Sequence, residues 1–314
     1  KYPKIKRLII FSRDELKQFE FSQKFNHSEN KRLRFFLGDI RDKDRLITAF
    51  RNVDVVIHAA ALKQVPAGEY NPFEFIKTNV FGAQNILEAC IVNRVKKIIA
   101  LSTDKASSPV NLYGATKLCS DKVFIAAQNM FFKKNEIQIS IVRYGNVFAS
   151  RGSVIPFFLK QNSEKNFITV TDKKMTRFNL FLNDGVRTVL WTLKNATGGE
   201  IIIPKAPSIR IYDVASVINN RKIKIIGKRP GEKMHEELIS SNESYNTIDL
   251  GDYYAVLPEY NYKTVLKNYS KKFKTSKFPI EKSYNSLTNK NYLSRKEIEK
   301  IINNYIKNNA NLSL

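Results

Sequence analysis

Short apolar runs rich in Val, Ile and Leu alternate with longer amphipathic stretches along the amino-terminal half of the chain. The apolar runs are bounded by charged residues, as buried strands are, and the stretches between them carry apolar residues at helical spacing. This alternation predicts an α/β fold with a doubly wound parallel sheet and helices on both of its faces. The predicted strands cover residues 5–11, 33–38, 53–60, 95–102 and 137–144, and the predicted helices cover residues 13–24, 43–50, 71–92 and 113–129.

The start of this pattern lacks a glycine-rich turn. In doubly wound sheets that bind a dinucleotide, the turn after the first strand carries glycines and holds the pyrophosphate. The first glycine of this chain is Gly38, so the strand at 5–11 has the character of a second strand. We expect the first strand, its glycine turn and its helix to lie upstream of Lys1.

The segment STDKASSPVNLYGATK, residues 102–117, combines several acid and base side chains. Thr103, Asp104 and Lys105 leave the carboxyl end of a predicted strand, where open α/β sheets bind their ligands. Tyr113 and Lys117 follow one turn apart on one helix face. Either pair alone is usually a surface feature, but both pairs at one strand–helix junction favour catalysis.

The two lysines of this segment have different expected roles. Lys117 is expected to lower the pKa of the Tyr113 phenol by its charge, which makes Tyr113 a base near neutral pH. Lys105 can act as a base only when it is neutral, which requires burial or a neighbouring cation. A second acid, Asp104, beside this second base predicts a second reaction step on the same substrate.

Composition narrows the classes of partner. The 314 residues carry a formal net charge of +24, with much of the excess in lysine-rich runs near the carboxyl end. No nucleic-acid-reading motif accompanies that charge, and a polyanionic small substrate accounts for part of it. No apolar run is long enough for a membrane span, and no secretory signal is present. Neither nucleic acid nor a membrane is therefore an expected partner.

Cysteine and histidine residues give no metal pattern. Cys90 and Cys119 lie within predicted helices without disulfide spacing, so we expect two small buried thiols and a reducing cytoplasm. His27, His58 and His235 are scattered along the chain, and we expect no metal site.

The predicted strand ends carry residues suited to a nicotinamide dinucleotide. At the end of the second strand of such a sheet, an acid suits NAD and an arginine accommodates the extra phosphate of NADP. Ser12 and Arg13 stand there, ahead of Asp14, which favours NADP, although Asp14 also fits a helix start. Small residues at 59–61 and 38–40 would let adenine and phosphates approach the backbone.

Several motifs together resemble one enzyme family. They are STDKASSPVNLYGATKLCSDK, SRDELKQFE, HAAALKQVPAGEYNP, VRYGNVFASRGSVIPFF, MTRF and GKRPGEKMHEEL. They look like the UDP-N-acetylglucosamine 4,6-dehydratases, which are extended short-chain dehydrogenases/reductases with a Rossmann-like sheet and a smaller carboxyl-terminal substrate lobe. The likeness is greatest to the inverting enzymes that begin pseudaminic acid synthesis, and it runs from Ile5 to about Pro258. Larger, membrane-anchored relatives carry Met where this chain has Tyr113. The missing glycine turn is the departure from the family pattern.

The resemblance implies a reaction without net redox change. A tightly bound NADP is reduced and reoxidised within one turnover. Tyr113, helped by Lys117, takes the C4 hydroxyl proton while a hydride leaves C4, and Thr103 hydrogen-bonds the C4 oxygen. Lys105 then removes the C5 proton, and Asp104 protonates the departing C6 hydroxyl. The hydride returns to C6, and C5 is reprotonated from the opposite face.

The resemblance also assigns binding residues. Asn146 suits a sugar or phosphate contact, Arg151 and Arg229 suit the diphosphate, and Glu232 suits the uridine ribose in a segment expected to open a helix. The expected cofactor residues are Ser12, Arg13, Asp39, Ile40, Ala59, Ala60, Ala61, Lys63, Asn79, Leu101, Ser102, Tyr113, Lys117 and Tyr144. The expected sugar-nucleotide residues are Lys63, Asn146, Arg151, Thr171, Arg177, Arg229 and Glu232.

Two lobes and a basic extension are expected. Residues 1–147 with 178–204 would bind NADP, and residues 148–177 with 205–260 would bind UDP-N-acetylglucosamine. Residues 261–314 form the extension, with a packed helix at 294–307 whose start carries a capping box of Ser294 and Glu297. A homo-oligomer is expected. Two alternatives stay open: a sugar-nucleotide 4-epimerase or reductase, which leaves Asp104 and Lys105 without a task, and a noncatalytic fragment that binds UDP-sugar.

Overall fold

The computed structural model describes residues 4–25, 30–131, 137–150 and 152–310. The strands are β1 (Leu8–Ser12), β2 (Leu33–Leu37), β3 (Val55–His58), β4 (Lys97–Thr103), β5 (Gln138–Tyr144), β6 (Asn146–Val147), β7 (Ile168–Val170), β8 (Thr176–Leu180), β9 (Ile201–Pro204), β10 (Ser208–Arg210), β11 (Ile223–Ile225), β12 (Glu237–Ile239), β13 (Thr247–Asp249), β14 (Tyr253–Val256), β15 (Ser276–Lys277) and β16 (Tyr284–Asn285). The α-helices are α1 (Glu15–Lys24), α2 (Lys43–Ala49), α3 (Val65–Tyr70), α4 (Pro72–Phe75), α5 (Gly82–Val92), α6 (Leu112–Phe131), α7 (Val154–Lys165), α8 (Leu182–Asn195), α9 (Ile211–Ile218), α10 (Tyr262–Ser270) and α11 (Arg295–Ala310).

A central sheet organises the molecule, in the order β15–β13–β14–β9–β5–β4–β3. Strands β3, β4, β5 and β9 run parallel, and β14 and β13 continue the sheet antiparallel. Ile98, Ile141 and Ile203 are almost completely buried in its main core, because strands covered on both faces need apolar side chains on both. The predicted α/β fold with a parallel central sheet is confirmed.

Strands β1 and β2 form a separate parallel pair. Helix α2 packs on α5 and ties this pair to the central sheet, with Ile40 against the Cα of Gly82. Within the described ranges, no strand pairs with the second edge of β1 or of β3.

The predicted strands and helices are found with shifted ends. Strand β1 begins at Leu8 rather than at residue 5, because residues 5–7 are exposed and outside the β1–β2 register. The predicted helix at 71–92 is divided into α4, a π-helical segment (Ile76–Phe81) and α5. Apolar spacing over a segment of 6 residues does not distinguish a π turn from an α turn. Strand β9 of the central sheet and helices α3, α7, α8, α9 and α10 have no counterpart among the predicted elements.

A second group of elements packs around its own core. Strands β6, β8 and β10 form one small sheet and β7 and β11 another, beside helices α7 and α9. Helix α11 contributes the buried Ile298 and Ile302 to this core, so the expected packing of the terminal helix is confirmed. Its capping box is confirmed too: the Ser294 N–H donates to Glu297 Oε2 at 2.8 Å, and the Glu297 N–H donates to Ser294 Oγ at 3.4 Å.

The two cysteines differ in exposure. Cys90 is buried within α5, as expected, but Cys119 is exposed. The expectation of a buried thiol is therefore wrong for Cys119, because its side of α6 faces solvent. In the part of the chain that the structure describes, no helix combines the length and apolar character that crossing a membrane requires.

Candidate active site

Gly114 allows the two halves of residues 102–117, the reactive segment, to meet. Strand β4 ends in a 3₁₀ turn, Asp104–Ala106, whose first residues follow the Thr103 cap. A Cβ at Gly114, in the first turn of α6, would overlap the carbonyl oxygen of Lys105. Asn111 Oδ1 accepts the Gly114 N–H at 2.8 Å and holds this helix start in place. Only glycine lets α6 lie directly on the turn and bring Tyr113 beside Lys105.

One cavity of about 380 Å³ collects the expected catalytic residues. It opens at the carboxyl ends of β4 and β5, where sheets of this class bind ligands. The predicted residues on its lining are Ala59, Ala61, Lys63, Leu101, Ser102, Thr103, Asp104, Lys105, Tyr113, Lys117, Tyr144 and Asn146. All five expected catalytic residues thus share one space with part of the expected cofactor and sugar residues.

Asp104 is completely buried at the floor of this cavity. Its Oδ1 accepts hydrogen bonds from Thr103 Oγ1 at 2.9 Å and from Lys105 Nζ at 3.0 Å. Its Oδ2 has no hydrogen-bond partner among the described residues. Burial raises the pKa of Asp104 above its ordinary value; the charge of Lys105 opposes this shift, and the carboxylate of Glu236 adds to it. This rise in the pKa of Asp104 is in the direction that a general acid requires.

The surroundings of Lys105 oppose the neutral form that a base requires. Burial alone lowers its pKa, but the carboxylates of Asp104 and Glu236 outweigh burial and raise the pKa above its ordinary value. The Glu236 Oε1 atom lies 3.4 Å from Lys105 Nζ. The condition that the sequence set for Lys105 as a base is therefore not met in this structure, because two acids and not a cation dominate its surroundings.

The Tyr113–Lys117 pair also differs from its prediction. Burial raises the pKa of Tyr113, and the cation that opposes this rise is Lys105 rather than Lys117. Lys117 is itself buried, which lowers its own pKa against the attraction of Asp121. The prediction that Lys117 lowers the Tyr113 pKa is wrong for this structure, because the ammonium that acts on the phenol comes from the β4 turn.

The residues around the cavity fit the nicotinamide end of a dinucleotide. Ala59 and Ala61 leave space at the end of β3, and the buried Lys117 lines the same wall. Asn79 fixes this loop: its Oδ1 accepts the Leu62 N–H at 2.8 Å, and its Nδ2 donates to Leu62 O and to Thr116. Asn146 Oδ1 is buried without a hydrogen-bond partner among the described residues, so it can accept a donor from a ligand.

The other expected cofactor residues lie away from this lining. Arg13 NH1 is 3.5 Å from Asp39 Oδ2, on the exposed end of the β1–β2 pair. Asp14 caps α1, its side chain accepting the Lys17 N–H at 3.0 Å, which agrees with the helix-start alternative. Ser12, Ile40 and Ala60 are also outside the lining, and Ile40 is part of the main core.

The expected sugar-nucleotide residues are dispersed. Arg177 NH1 donates to the carbonyls of Thr176 and Met234. Arg229 and Glu232 belong to a turn and not to a helix, so that prediction is wrong: Gly231 has a φ of +73°, outside helical geometry. Thr171 follows β7, away from the cavity lining, and Arg151 lies outside the described residues.

Glu236 is the main contact that the sequence does not predict. It lies within the quoted motif GKRPGEKMHEEL, but nothing in its spacing connects it with the distant residue Lys105. Six cavity residues are also absent from the predicted set: Gln64, Gly145, Val147, Ser150, Gly152 and Ser153. Apart from Val147 in β6, they lie in connecting segments whose path depends on the tertiary fold.

The chain matches known proteins over most of its length. A family described as "Polysaccharide biosynthesis protein" matches residues 1–258. The UDP-N-acetylglucosamine 4,6-dehydratase (inverting) of Campylobacter jejuni is 51% identical over 302 residues, which cover 95% of this chain and 89% of that protein. The UDP-glucose 4-epimerase of Rickettsia canadensis is 44% identical over 257 residues, which cover 80% of this chain and 74% of that protein.

Solved structures have the same architecture. Pen from Bacillus thuringiensis superposes with a TM-score of 0.86 at 38% identity, over 96% of this chain and 90% of that one. A dTDP-glucose 4,6-dehydratase of Streptomyces venezuelae, solved with NAD bound, gives a TM-score of 0.68 at 20% identity, over 86% of this chain and 89% of that one. At 20% identity, the likeness to the Streptomyces venezuelae enzyme shows a shared fold and nothing more.

Proposed function

Because the chain belongs to the polysaccharide biosynthesis protein family, we propose that it is an inverting UDP-N-acetylglucosamine 4,6-dehydratase. The reaction converts UDP-N-acetylglucosamine into water and a UDP-2-acetamido-2,6-dideoxy-4-hexulose. The observation that carries the proposal is the single cavity shared by the Asp104–Lys105 and Tyr113–Lys117 pairs. A single acid–base pair suffices to oxidise a hydroxyl, whereas loss of water needs a second pair.

The first half of the reaction uses the α6 pair. When bound, the nicotinamide dinucleotide accepts a hydride from sugar C4 and returns it to C6. Tyr113 takes the C4 hydroxyl proton, Thr103 donates a hydrogen bond to the C4 oxygen, and Lys117 holds positive charge beside this wall of the cavity. The C4 ketone then acidifies the hydrogen on C5.

The second half uses the β4 turn. When the hydride returns to C6, C5 takes up a proton from the opposite face, and this proton balances the one that Tyr113 removed from the C4 hydroxyl. Lys105 takes the C5 proton, and the electrons of that C–H bond form the C5=C6 double bond. The C6–O bond breaks, and Asp104 gives its proton to the departing hydroxyl, which leaves as water. Because Lys105 Nζ lies 3.0 Å from Asp104 Oδ1, one transfer along this hydrogen bond restores both groups. Lys105 must lose its own proton once substrate is bound and before this step, because the pKa of Lys105 is raised in the structure.

The cofactor is a nicotinamide dinucleotide, and we propose NADP rather than NAD. Arg13 stands at the end of β1 with an exposed guanidinium whose partner Asp39 is at 3.5 Å. A ribose 2′-phosphate competes well for such a guanidinium, because bidentate phosphate contacts are stronger than a long surface ion pair. Asp39 then remains paired with Arg41, 2.7 Å away.

The remaining binding roles are part of the proposal. Lys63 and Asn146 line the cavity and can meet the sugar and its phosphates. Arg229 and Glu232 share a turn that Asn111 fastens beside the start of α6, through a 2.8 Å hydrogen bond to Gly231 O. This turn is suited to holding the uridine diphosphate where the second group of elements meets the reactive segment. A homo-oligomer remains a prediction.

A 4-epimerase is the second candidate function. The Rickettsia canadensis relative, named as a UDP-glucose 4-epimerase, favours it. An epimerase returns the hydride to C4 and loses no water, so Asp104 and Lys105 would have no role in it. Their position in the same cavity as Tyr113 favours the dehydratase.

Incubation with UDP-N-acetylglucosamine and NADP tests the proposal. The dehydratase gives a product that has lost one water by mass spectrometry and carries a C4 ketone and a C6 methyl group by NMR. An isomer of unchanged mass with an inverted C4 supports the epimerase instead. Unchanged sugar together with UDP binding in calorimetry supports the noncatalytic alternative.

A further inference from the structure

An inverting dehydratase requires a proton donor that the elimination pair does not supply. Lys105 removes the C5 proton from one face of the sugar, and C5 must receive a proton on the other face. Lys105 and Asp104 exchange their protons along the 3.0 Å hydrogen bond between them, so neither has one left for C5. The cavity must therefore hold another acid, on a wall other than the one that carries Lys105.

Tyr144 is the acid on the cavity lining that neither half of the reaction uses. Among the described residues, the titratable side chains on this lining are Lys63, Asp104, Lys105, Tyr113, Lys117 and Tyr144. Elimination uses the two from the β4 turn, and Tyr113 receives the C4 proton. The other two lysines have binding roles in the proposal. The Tyr144 phenol has no assigned role in proton transfer.

The position of Tyr144 brings its phenol to the reactive segment from a neighbouring strand. Tyr144 ends β5 and is the register partner of Thr103 at the end of β4. Its ring packs against the main core, while the residue also lines the cavity. The next residue, Gly145, lies so close to the reactive turn that a Cβ there would be 3.3 Å from Asp104 Oδ2. Strand β5 thus presents an acid beside the group that releases water, whereas Lys105 comes from the turn after β4.

The state of the phenol suits a proton donor. Burial raises the pKa of Tyr144 above its ordinary value, so the side chain carries its proton at neutral pH. A weak acid is sufficient here, because the enolate of a ketone is a much stronger base than a phenolate. Burial also raises the pKa of Tyr113, and the charge of Tyr144 adds to that rise, so the two phenols lie within electrostatic reach of each other.

We propose that Tyr144 is the catalytic acid that protonates C5 and thereby sets its inverted configuration. The inference rests on the proposed dehydratase function. Return of the hydride to C6 leaves an electron pair shared between C5 and the C4 oxygen. That pair forms the new C5–H bond while the O–H bond of Tyr144 breaks and leaves a phenolate. The proton that Tyr113 took from the C4 hydroxyl then passes to this phenolate, which restores both tyrosines.

Replacement of Tyr144 by phenylalanine tests this role. Tyr144→Phe keeps the ring and removes the acidic proton. We expect C4 oxidation and loss of water to persist and C5 protonation to slow by about 10²–10⁴-fold, the usual contribution of a general acid. Water then protonates C5 from either face, so the product should be a mixture of C5 epimers where the parent protein gives one. Borohydride reduction of the product as it forms, followed by NMR, measures the C5 configuration.

Two companion variants separate the role of Tyr144 from general damage to the site. Lys63→Met removes another cation of the cavity lining and should weaken substrate binding but keep a single C5 configuration. Tyr254→Phe removes a phenol whose pKa burial also raises but which lies outside the lining, and it should match the parent protein. Absorbance of the nicotinamide follows both hydride transfers in each variant.

Each outcome favours or overturns the role of Tyr144. A mixture of C5 epimers from Tyr144→Phe, after both hydride transfers, supports it. A single C5 configuration from that variant at any rate, or loss of its C4 oxidation, overturns it. Mixed epimers from Lys63→Met would instead identify Lys63 as the acid. Absence of any 4-keto product from the parent protein is a separate result, which removes the dehydratase function itself.

Discussion

The two ends of the proposed site differ in how completely water is excluded. At the β4–α6 end, the Asp104 side chain has 0% exposure and Lys105 has 22%. At the β1–β2 end, Arg13 is 53% exposed and Asp39 is 23% exposed. Charges at the first end act on one another with little water between them, whereas Arg13 at the second end reaches Asp39 only at 3.5 Å on a solvated surface. The difference in exposure supports our proposal that the chemistry belongs to the buried end and cofactor selection to the open one.

The largest expected effect lies at the buried end. Lys105→Ala should slow elimination by about 10²–10⁴-fold, the usual contribution of a general base, while C4 oxidation continues and reduced cofactor accumulates. Tyr113→Phe should instead suppress the first step and leave the cofactor oxidised. Absorbance of the reduced nicotinamide distinguishes the two variants. Deuterium entering C5 at the parent rate in Lys105→Ala would show that another group is the base.

The open end should control cofactor choice and little else. Arg13→Ala should weaken NADP binding by about 1.5–3 kcal/mol, the range for a hydrogen bond to a charged group, and leave NAD binding nearly unchanged. Calorimetric titration with each cofactor measures the difference. Arg187→Ala, which removes another exposed ion-paired arginine, is the matched control. Equal losses for both cofactors would contradict the assignment of NADP.

A backbone contact at the buried end offers a third test. Gly114→Ala places a methyl group against the Lys105 carbonyl, so either α6 or the β4 turn must shift. We expect the free energy of unfolding to fall by about 1–3 kcal/mol, as overpacking typically costs, with a loss of elimination activity. Gly185→Ala is the control, because its nearest neighbour would be Leu180 Cδ1 at 3.8 Å. Denaturant unfolding of both variants measures the contrast.

The smallest effect is the response to salt. Screening acts over about 10 Å at 0.1 M ionic strength and about 3 Å at 1 M, and it acts mainly on exposed charges. NADP affinity should therefore fall several-fold as salt rises, while the single-turnover elimination rate of the preformed complex stays constant. If NADP affinity and the elimination rate fall together, the two ends do not differ in how strongly salt screens their charges.

Local sequence was sufficient for much of the fold and for the reactive segment. Strands β3, β4 and β5 of the parallel sheet follow directly from their apolar runs, although β9 was not predicted, and residues 102–117 meet because one strand, one turn and one helix connect them. The family resemblance predicted from the motifs is confirmed by a relative that is 51% identical over 95% of the chain. The roles of the individual site residues stay predictions.

The sequence pattern did not predict contacts between distant segments. Glu236 reaches Lys105 only because β12 pairs with β16, a strand of the extension whose role the sequence does not reveal. For the same reason, the sequence could state the condition for a neutral Lys105 but not show that it is unmet: the local pattern shows Asp104 but not the second acid. The turn at Gly231 was predicted as a helix because its positive φ depends on packing against Asn111 and Val65.

Because Cys119 on helix α6 is exposed and Cys90 is buried, chemical labelling can attach a probe to α6 alone. Cys90 is fully buried, and burial raises the pKa of its thiol, so a maleimide probe in the folded protein should react with Cys119 alone. Cys119 lies two residues beyond Lys117, where the helix turns its side chain to the opposite side from the cavity. A fluorophore there would report movement of α6 during turnover from outside the site, with no engineered residue.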